Sequence, residues 1–178
     1  MVVKDVFPAD WDIDILGNCA RIETGGRNTE DKNDDGRYPF FVRSQKVEHI
    51  NTYHYDCEAI LTAGDGVGTG KVFHYYKGKF DVHQRVYVLT GFNRVIGGYL
   101  YYYFKANFLK EVEKYTAKSS VDSVRRAMIE KMQIPIPGLK EQSAIVEALM
   151  DTDCLICSLQ KLADKKKAVR QGVMQELL

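Results

Sequence analysis

Proline is scarce in this chain, four in 178 residues, and none follows Pro137. Beyond Pro135-Ile136-Pro137-Gly138 the only glycine is Gly172, so nothing in the tail forbids a long helix. No stretch approaches the roughly twenty apolar residues that span a bilayer. The opening Met1-Val2-Val3-Lys4-Asp5 is no signal peptide, so the sequence predicts a cytoplasmic protein with no membrane partner. Cysteine is also sparse. Cys154 and Cys157 form a CxxC with no second pair near it, and zinc needs four ligands. The four thiols therefore read as free cysteines in a reducing compartment, with no metal site. Net charge is only +1, so any nucleic-acid binding must come from local clustering of cations.

Catalytic signatures are missing as well. The chain has no G-x-S-x-G, no H-E-x-x-H and no Pro-Pro of the kind an amino-methyltransferase would show. Asp164-Lys165-Lys166 has a nuclease-like acid-x-Lys spacing, but it falls on the solvated face of the tail. The run Gly64-Asp65-Gly66-Val67-Gly68-Thr69-Gly70-Lys71 fails both phosphate fingerprints. A dinucleotide motif would need glycine where Thr69 or Lys71 stands, and a phosphate loop would need glycine at Asp65 and a hydroxyl at Val72. A strand, not a helix, follows the run, which reads as a hairpin turn or a flexible loop near a ligand. No cofactor is expected.

What is present begins with the tail, residues 139–178. Ala, Leu, Glu, Lys and Gln dominate it, all good helix formers. Ala148, Leu155, Leu159, Leu162, Val169 and Val173 step by three and four, with Thr152 and Lys166 in the same register. This is a heptad seam, and as a helix it makes a rod roughly 60 Å long. Such a helix can fold back on its own domain. The strict stepping and the polar seam residues point instead to helix–helix association, with those six apolar residues as the dimer interface.

The head, residues 1–138, is β-rich, with glycine turns about every eight to twelve residues. Strands are expected around Trp11-Asp12-Ile13-Asp14-Ile15-Leu16, Tyr38-Pro39-Phe40-Phe41-Val42 and Ala59-Ile60-Leu61-Thr62. Others are expected at Val72-Phe73-His74-Tyr75-Tyr76, Phe80-Asp81-Val82 and Val86-Tyr87-Val88-Leu89, with Lys77-Gly78-Lys79 as a turn. Residues 24–37 read as a long exposed loop, 97–114 as an aromatic-heavy helix, and about 121–130 as a short one. The predicted fold class is α+β, a β-rich domain followed by one long C-terminal helix.

Cationic, amide and hydroxyl side chains gather in the loops of this head. They are Arg27, Asn28, Arg43, Ser44, Gln45, Thr69, Lys71, His74, Gln84, Arg85, Lys118, Ser119 and Arg125. These residue types contact phosphates and base edges, so double-stranded DNA is the partner they suggest.

Several stretches carry a resemblance. Trp11 with Leu16-Gly17, then Ile22-x-Thr24-Gly25-Gly26, resembles the opening of a target recognition domain of type I restriction-modification specificity (S) subunits. The same holds for Ala59-Ile60-Leu61-Thr62 with the glycine run, for Gln84-Arg85-Val86-Tyr87, and for the helix bearing Tyr99 to Tyr103. The most specific stretch runs from Met132 through Pro135-Ile136-Pro137 to Glu141-Gln142 and Ile145, and the ending Gln171-Gly172-x-Met174-Gln175 also fits. The resemblance implies a non-catalytic, sequence-specific DNA-recognition subunit. Such a subunit docks methyltransferase subunits, which use S-adenosylmethionine, and through them a restriction subunit. Family members have two recognition domains on two long antiparallel helices. One domain and one rod are present here, so the expectation is half an S subunit, a fragment or a natural half. The exposed seam favours a homodimer in an antiparallel coiled coil that presents two heads to a split, palindromic target. The competing expectation is a coiled-coil interaction module whose β-rich head binds another protein.

Overall fold

A computed structural model describes residues 7–115 and 123–177. The chain divides into two compact units, Met1–Gln142 and Ser143–Leu178.

The first unit is built on a six-stranded sheet. In chain order its strands are β2 (Arg21–Thr24), β3 (Tyr38–Phe41), β4 (Glu48–Ile50), β5 (Tyr55–Ala63), β6 (Phe73–Val82) and β7 (Val86–Thr90). They lie in the order β2-β7-β5-β6-β3-β4. All neighbours are antiparallel except β3 and β6. A separate two-stranded ribbon pairs β1 (Asp12–Ile15) with β8 (Gln133–Ile136), joining Ile13 to Pro135 across the ladder. Pro135 is tolerated because β8 has a partner on one side only.

The sheet must coil. Tyr55 at one end of β5 pairs with Phe80, and Ala63 at the other end pairs with Val86. Those β5 residues stand roughly 26 Å apart along a strand, whereas the six-residue step from Phe80 to Val86 spans about 20 Å at most. Curling brings the two ends together. The closure is completed by the extension of β2: Gly25 N–H donates to the Val86 carbonyl (3.2 Å), Arg27 N–H to Val82 (3.2 Å), and Gln84 N–H to Arg27 (2.8 Å).

Both faces are buried along β7 and the second half of β5, which explains why these strands read as nearly continuous apolar runs. Period-2 alternation still sorts the side chains. Ala59, Leu61 and Val88 pack inside the curl with Phe41, Phe80, Val82 and Val86. Ile60 and Leu89 face outward onto α2 (Gly97–Glu113), whose Leu100, Phe104, Phe108 and Val112 recur at helical spacing. Phe104 and Phe108 stack at 4.3 Å between centroids, and Phe73 meets both edge-on. Two short helices, α1 (Leu16–Cys19) and α3 (Arg126–Glu130), extend this second core with Leu16, Cys19, Met128 and Ile129.

Local expectations need three corrections. Lys77, Gly78 and Lys79 do not form a turn. β6 runs straight through them, with Cys57 opposite Gly78 and Gly78 at φ +133°, a backbone that permits a bend without ending the ladder. The strand at 59–62 is longer than its apolar core, starting at Tyr55, because the polar residues Asp56 and Glu58 pair with Lys79 and Lys77. The helix expected over about 121–130 begins only at Arg126: Ser123 bridges to Asp65 and Val124 N–H donates to the Gly64 carbonyl, so 123–125 are extended, and residues 116–122 lie outside the described part.

The second unit is the body of α4 (Leu139–Leu177), a 39-residue helix. Its first turn belongs to the head. Gln142 is fully buried: its Oε1 accepts from Ile96 N–H (2.7 Å), and its Nε2 donates to the carbonyls of Arg94 (3.0 Å) and Pro137 (2.9 Å). Along the rest of α4 the apolar stripe is open, with Leu155 60%, Leu159 55%, Leu162 50%, Val169 59% and Val173 48% exposed. Ala148 is exposed too.

The closure gives a paired prediction. A Cβ on Gly25 would fall 2.1 Å from the Val82 carbonyl oxygen, whereas one on Gly26 would meet nothing within 4 Å. Gly25→Ala is expected to cost roughly 3 kcal/mol or more and Gly26→Ala less than about 0.5. Urea unfolding of both variants measures this, and equal stability of the two would remove the closure from the account.

Candidate nucleic-acid interface

Closing the sheet draws five separate chain segments to one rim. Gly64 N–H donates to the Arg85 carbonyl (2.8 Å), and Val124 N–H donates to the Gly64 carbonyl (2.7 Å). His83 N–H donates to the carbonyl of Phe41, so the turn between β6 and β7 abuts the start of the 42–46 loop. The turn after β2 joins through Arg27 and Gln84, and Gln84 Nε2 donates to Asn28 Oδ1 at 2.5 Å. Segments 25–28, 42–46, 64–71, 83–85 and 123–125 thus form a continuous surface.

Its charges are held in fixed positions. Asp65 accepts from Arg43 NH1 at 2.8 Å and lies 3.7 Å from Arg85 Nε, so one carboxylate orients two guanidinium groups. Both arginines stay substantially exposed, at 46% and 64% of the side chain. A groove of about 440 Å³ opens beside them, lined by Thr29, Val42, Arg43, Ser44 and 65–68. Lys71 is exposed at the end of the glycine loop, and Arg125 is exposed beside Val124.

Other candidates serve the rim from beneath. Arg27 Nε pairs with Asp81 at 3.1 Å and its NH2 donates to Thr52 Oγ1. Asp81 is 2% exposed, so Arg27 neutralises a buried carboxylate and cannot be removed without stranding it. Thr69 lies 4% exposed under the glycine loop. His74 sits under the 42–46 loop with Nε2 3.0 Å from the Ser44 carbonyl, an arrangement that places the ring hydrogen on Nε2. Gln45 Nε2 reaches the Phe73 carbonyl at 3.5 Å. Lys118 and Ser119 lie outside the described residues. Arg94 is committed elsewhere, to Asp12 (2.7 Å) and Asp14 (2.8 Å), and Arg126 to Glu130.

Sequence reasoning passed over three residues that define the rim. Asp65 and Val67 lie in the glycine run, which reads in sequence as a hairpin turn or a flexible loop near a ligand, and Asp81 looks like an ordinary strand residue. The signal for Asp65 was available: an acid between two glycines, with Arg43 and Arg85 in other loops. Among the described residues no group of three or more His, Cys, Asp or Glu side chains could hold a metal ion, and no helix is long and apolar enough to cross a membrane.

The type I restriction modification DNA specificity domain matches residues 8–167. This chain belongs to that family. It is 29% identical to the type I restriction enzyme EcoDI specificity subunit of Escherichia coli, over 94% of this chain and 38% of that protein. It is 28% identical to the MjaVIII specificity subunit of Methanocaldococcus jannaschii, over 96% of this chain and 42% of that one. The specificity-family chain thus spans about two fifths of the length of these relatives. Its fold matches the crystal structure of the S subunit from M. genitalium with TM-score 0.70 at 11% identity, covering 90% of this chain and 44% of that one. The HsdS subunit from Thermoanaerobacter tengcongensis gives 0.62 at 15% identity, covering 87% and 40%. Both solved structures therefore share the specificity-family fold of a β-rich sheet followed by a long C-terminal helix.

One titration follows from the rim's geometry. Burial, and then the Arg43 charge, pull the His83 imidazole below its ordinary value, while its Nδ1 accepts the Arg85 N–H at 3.0 Å. Burial lowers His74 as well. The folded chain therefore binds these protons less readily than the unfolded chain. Stability is complete above the unfolded histidine value near about 6.5 and is lost as pH falls below it. The thermal midpoint should be lower at pH about 5.5 than at about 7.5, and the difference should be smaller in His83→Asn, which keeps an acceptor for Arg85. An equal drop in the variant would show that His83 is not held neutral.

Proposed function

We infer that this chain is a sequence-specific DNA-recognition subunit of a type I restriction-modification system. The head reads one half of a split, palindromic target, and α4 pairs antiparallel with the α4 of a second copy. It is non-catalytic and needs no cofactor of its own. Methyltransferase subunits dock on it, and a restriction subunit joins through them. The observation that supports this most is the rim, where folding gathers Arg43, Arg85, Arg125, Lys71, Asn28 and Gln84 from separate loops. Arginines and amides on one surface suit the phosphates and base edges of a duplex. The family membership and the open stripe on α4 support the same reading.

The test is selection of bound sequences from a random duplex library, with methyltransferase subunits present. A two-part consensus related by a dyad is expected. A head that binds protein instead would return no consensus. Binding should fall steeply with salt, because phosphate contacts release counterions. Arg43→Ala or Arg85→Ala should each weaken it by roughly five- to fiftyfold, that is about 1–2 kcal/mol. Unchanged affinity in both, with the fold intact by circular dichroism, would move the DNA surface away from this rim.

Pairing is tested separately. Leu159 and Leu162 are 55% and 50% exposed on α4. Replacing both with Asp would bury unpaired charge in the proposed seam, costing several kcal/mol, roughly 3–5. Sedimentation should find dimers of the native chain at micromolar concentration and monomers of the variant. A monomeric native chain would sink the homodimer.

A further inference from the structure

Val67 is 95% exposed, and no other large apolar side chain exposed among the described residues exceeds 78%. Folding gains nothing from it, since it is as wet in the native chain as in the unfolded one. Its backbone, by contrast, is closely specified. Thr69 N–H donates to the Gly66 carbonyl (3.0 Å), and Lys71 and Val72 N–H both donate to Gly68 (3.0 and 2.9 Å). Gly66 and Gly70 take φ of +75° and +67°, which favour glycine. A Cβ on Gly68 would lie 2.6 Å from the Arg43 carbonyl oxygen, so the turn sits hard against the 42–46 loop. A built turn therefore holds one apolar side chain at its apex.

The surroundings restrict what that side chain meets. Beside it stand Arg43 and Arg85, both oriented by Asp65, and the groove below is walled by Thr29, Val42 and Ser44. A protein-docking surface would offer a contiguous apolar patch of several hundred Å². Val67 and the half-buried Val42 do not. A wedge that unstacks base pairs uses a longer side chain, such as Phe, Leu, Ile or Met. The duplex itself offers one apolar group in the major groove, the C5 methyl of thymine.

We propose that Val67 is a specificity-determining residue that contacts a thymine methyl in the major groove, with Arg43 and Arg85 on the flanking phosphates or base-edge acceptors. This rests on the DNA-reading function above. Short β-branched Val has few rotamers to lose, so the contact costs little ordering entropy. The contact discriminates thymine from cytosine at one position of the half-site, while leaving total charge neutralisation untouched.

The full chain, with methyltransferase subunits, first selects sequences from random duplexes of about 30 base pairs. Each thymine of the selected duplex is then replaced in turn by deoxyuridine, which removes only the methyl. One position in each half-site, the two related by the dyad, should each weaken native binding by about fourfold, the effect of one buried methyl. In Val67→Ala, which removes the contact from both heads, the affinity for the thymine duplex should fall by about fifteenfold, and the same uracil replacements should then change nothing. The salt dependence should be unaltered, since Val67 meets no phosphate. The proposal is overturned if Val67→Ala keeps native affinity and consensus, if its uracil sensitivity equals that of the native chain, or if no thymine position is sensitive. Should Val67→Ala lose only its association with methyltransferase subunits, Val67 is a protein contact and the proposal also fails. A native chain that selects no consensus at all rejects the DNA-reading function itself, an outcome distinct from the others.

Discussion

The six-stranded sheet is held in its curl by three backbone hydrogen bonds between residues 25–27 and the 82–86 turn, and these bring the rim into being. Strands β5, β6 and β7 could pair in a flat sheet only if the connection after β6 were much longer than it is. Because that connection is short, β5 must bend, and the far ends of β5 and β6 arrive at the same place. Gly25 has to lack a side chain for the closure to form, since the Val82 carbonyl occupies the space a Cβ would need. Asp81, one residue before that carbonyl, receives Arg27 and Thr52 in the same region. A backbone constraint and a buried ion pair thus fix one point, and every loop of the rim is tethered to it.

A second constraint ties the first turn of α4 to the head. Gln142 satisfies Ile96 N–H, the donor left over at the start of α2, and two carbonyls of different loops. A buried amide with three good partners is worth more for where it holds things than for net energy, because each bond replaces one to water. Removing it would leave an amide hydrogen and two carbonyls unpaired in a dry site, which is the expensive direction. Arg94, whose carbonyl takes one of these bonds, adopts φ +63° and clamps Asp12 and Asp14 of β1. β1 pairs with β8, and β8 leads into α4. Strand, loop and helix start are therefore fixed as a set.

Features legible in the sequence are those set by local rules. The long helix was visible because proline stops at Pro137 and good helix formers follow, and α2 because its aromatics recur at helical spacing. What local rules miss is pairing between distant segments. Lys77-Gly78-Lys79 has the composition of a turn, yet each residue finds a partner in β5, and the ladder overrides the propensity. Asp56 and Glu58 look like loop residues until Lys79 and Lys77 are placed opposite them. At the rim, residue type located the polar loops but could not rank them. Arg27 and Arg85 are alike in sequence, but one neutralises buried Asp81 and the other remains 64% exposed beside Asp65. That difference is made by a carboxylate more than fifty positions away from Arg27.

The proposed pairing of α4 gains a direction from the polar residues of its own seam. In a parallel, in-register pair each seam residue faces its copy, so Lys166 would meet Lys166 and bring two like charges together in the seam. In an antiparallel pair centred between Leu159 and Leu162, those two leucines face each other and Leu155 faces Lys166. Thr152 then faces Val169, and Ala148 faces Val173. Each polar side chain now opposes an apolar one, and Lys166 can lay its methylene stem along Leu155 while its ammonium reaches water. The flanking positions agree: Ile156, 47% exposed, would lie near Ala163, and Leu149, 39% exposed, near the stem of Arg170. Burying that wider stripe is possible only in the antiparallel register, because in the parallel one the charged layer at Lys166 splits it. The same residues that weaken the seam therefore select its orientation.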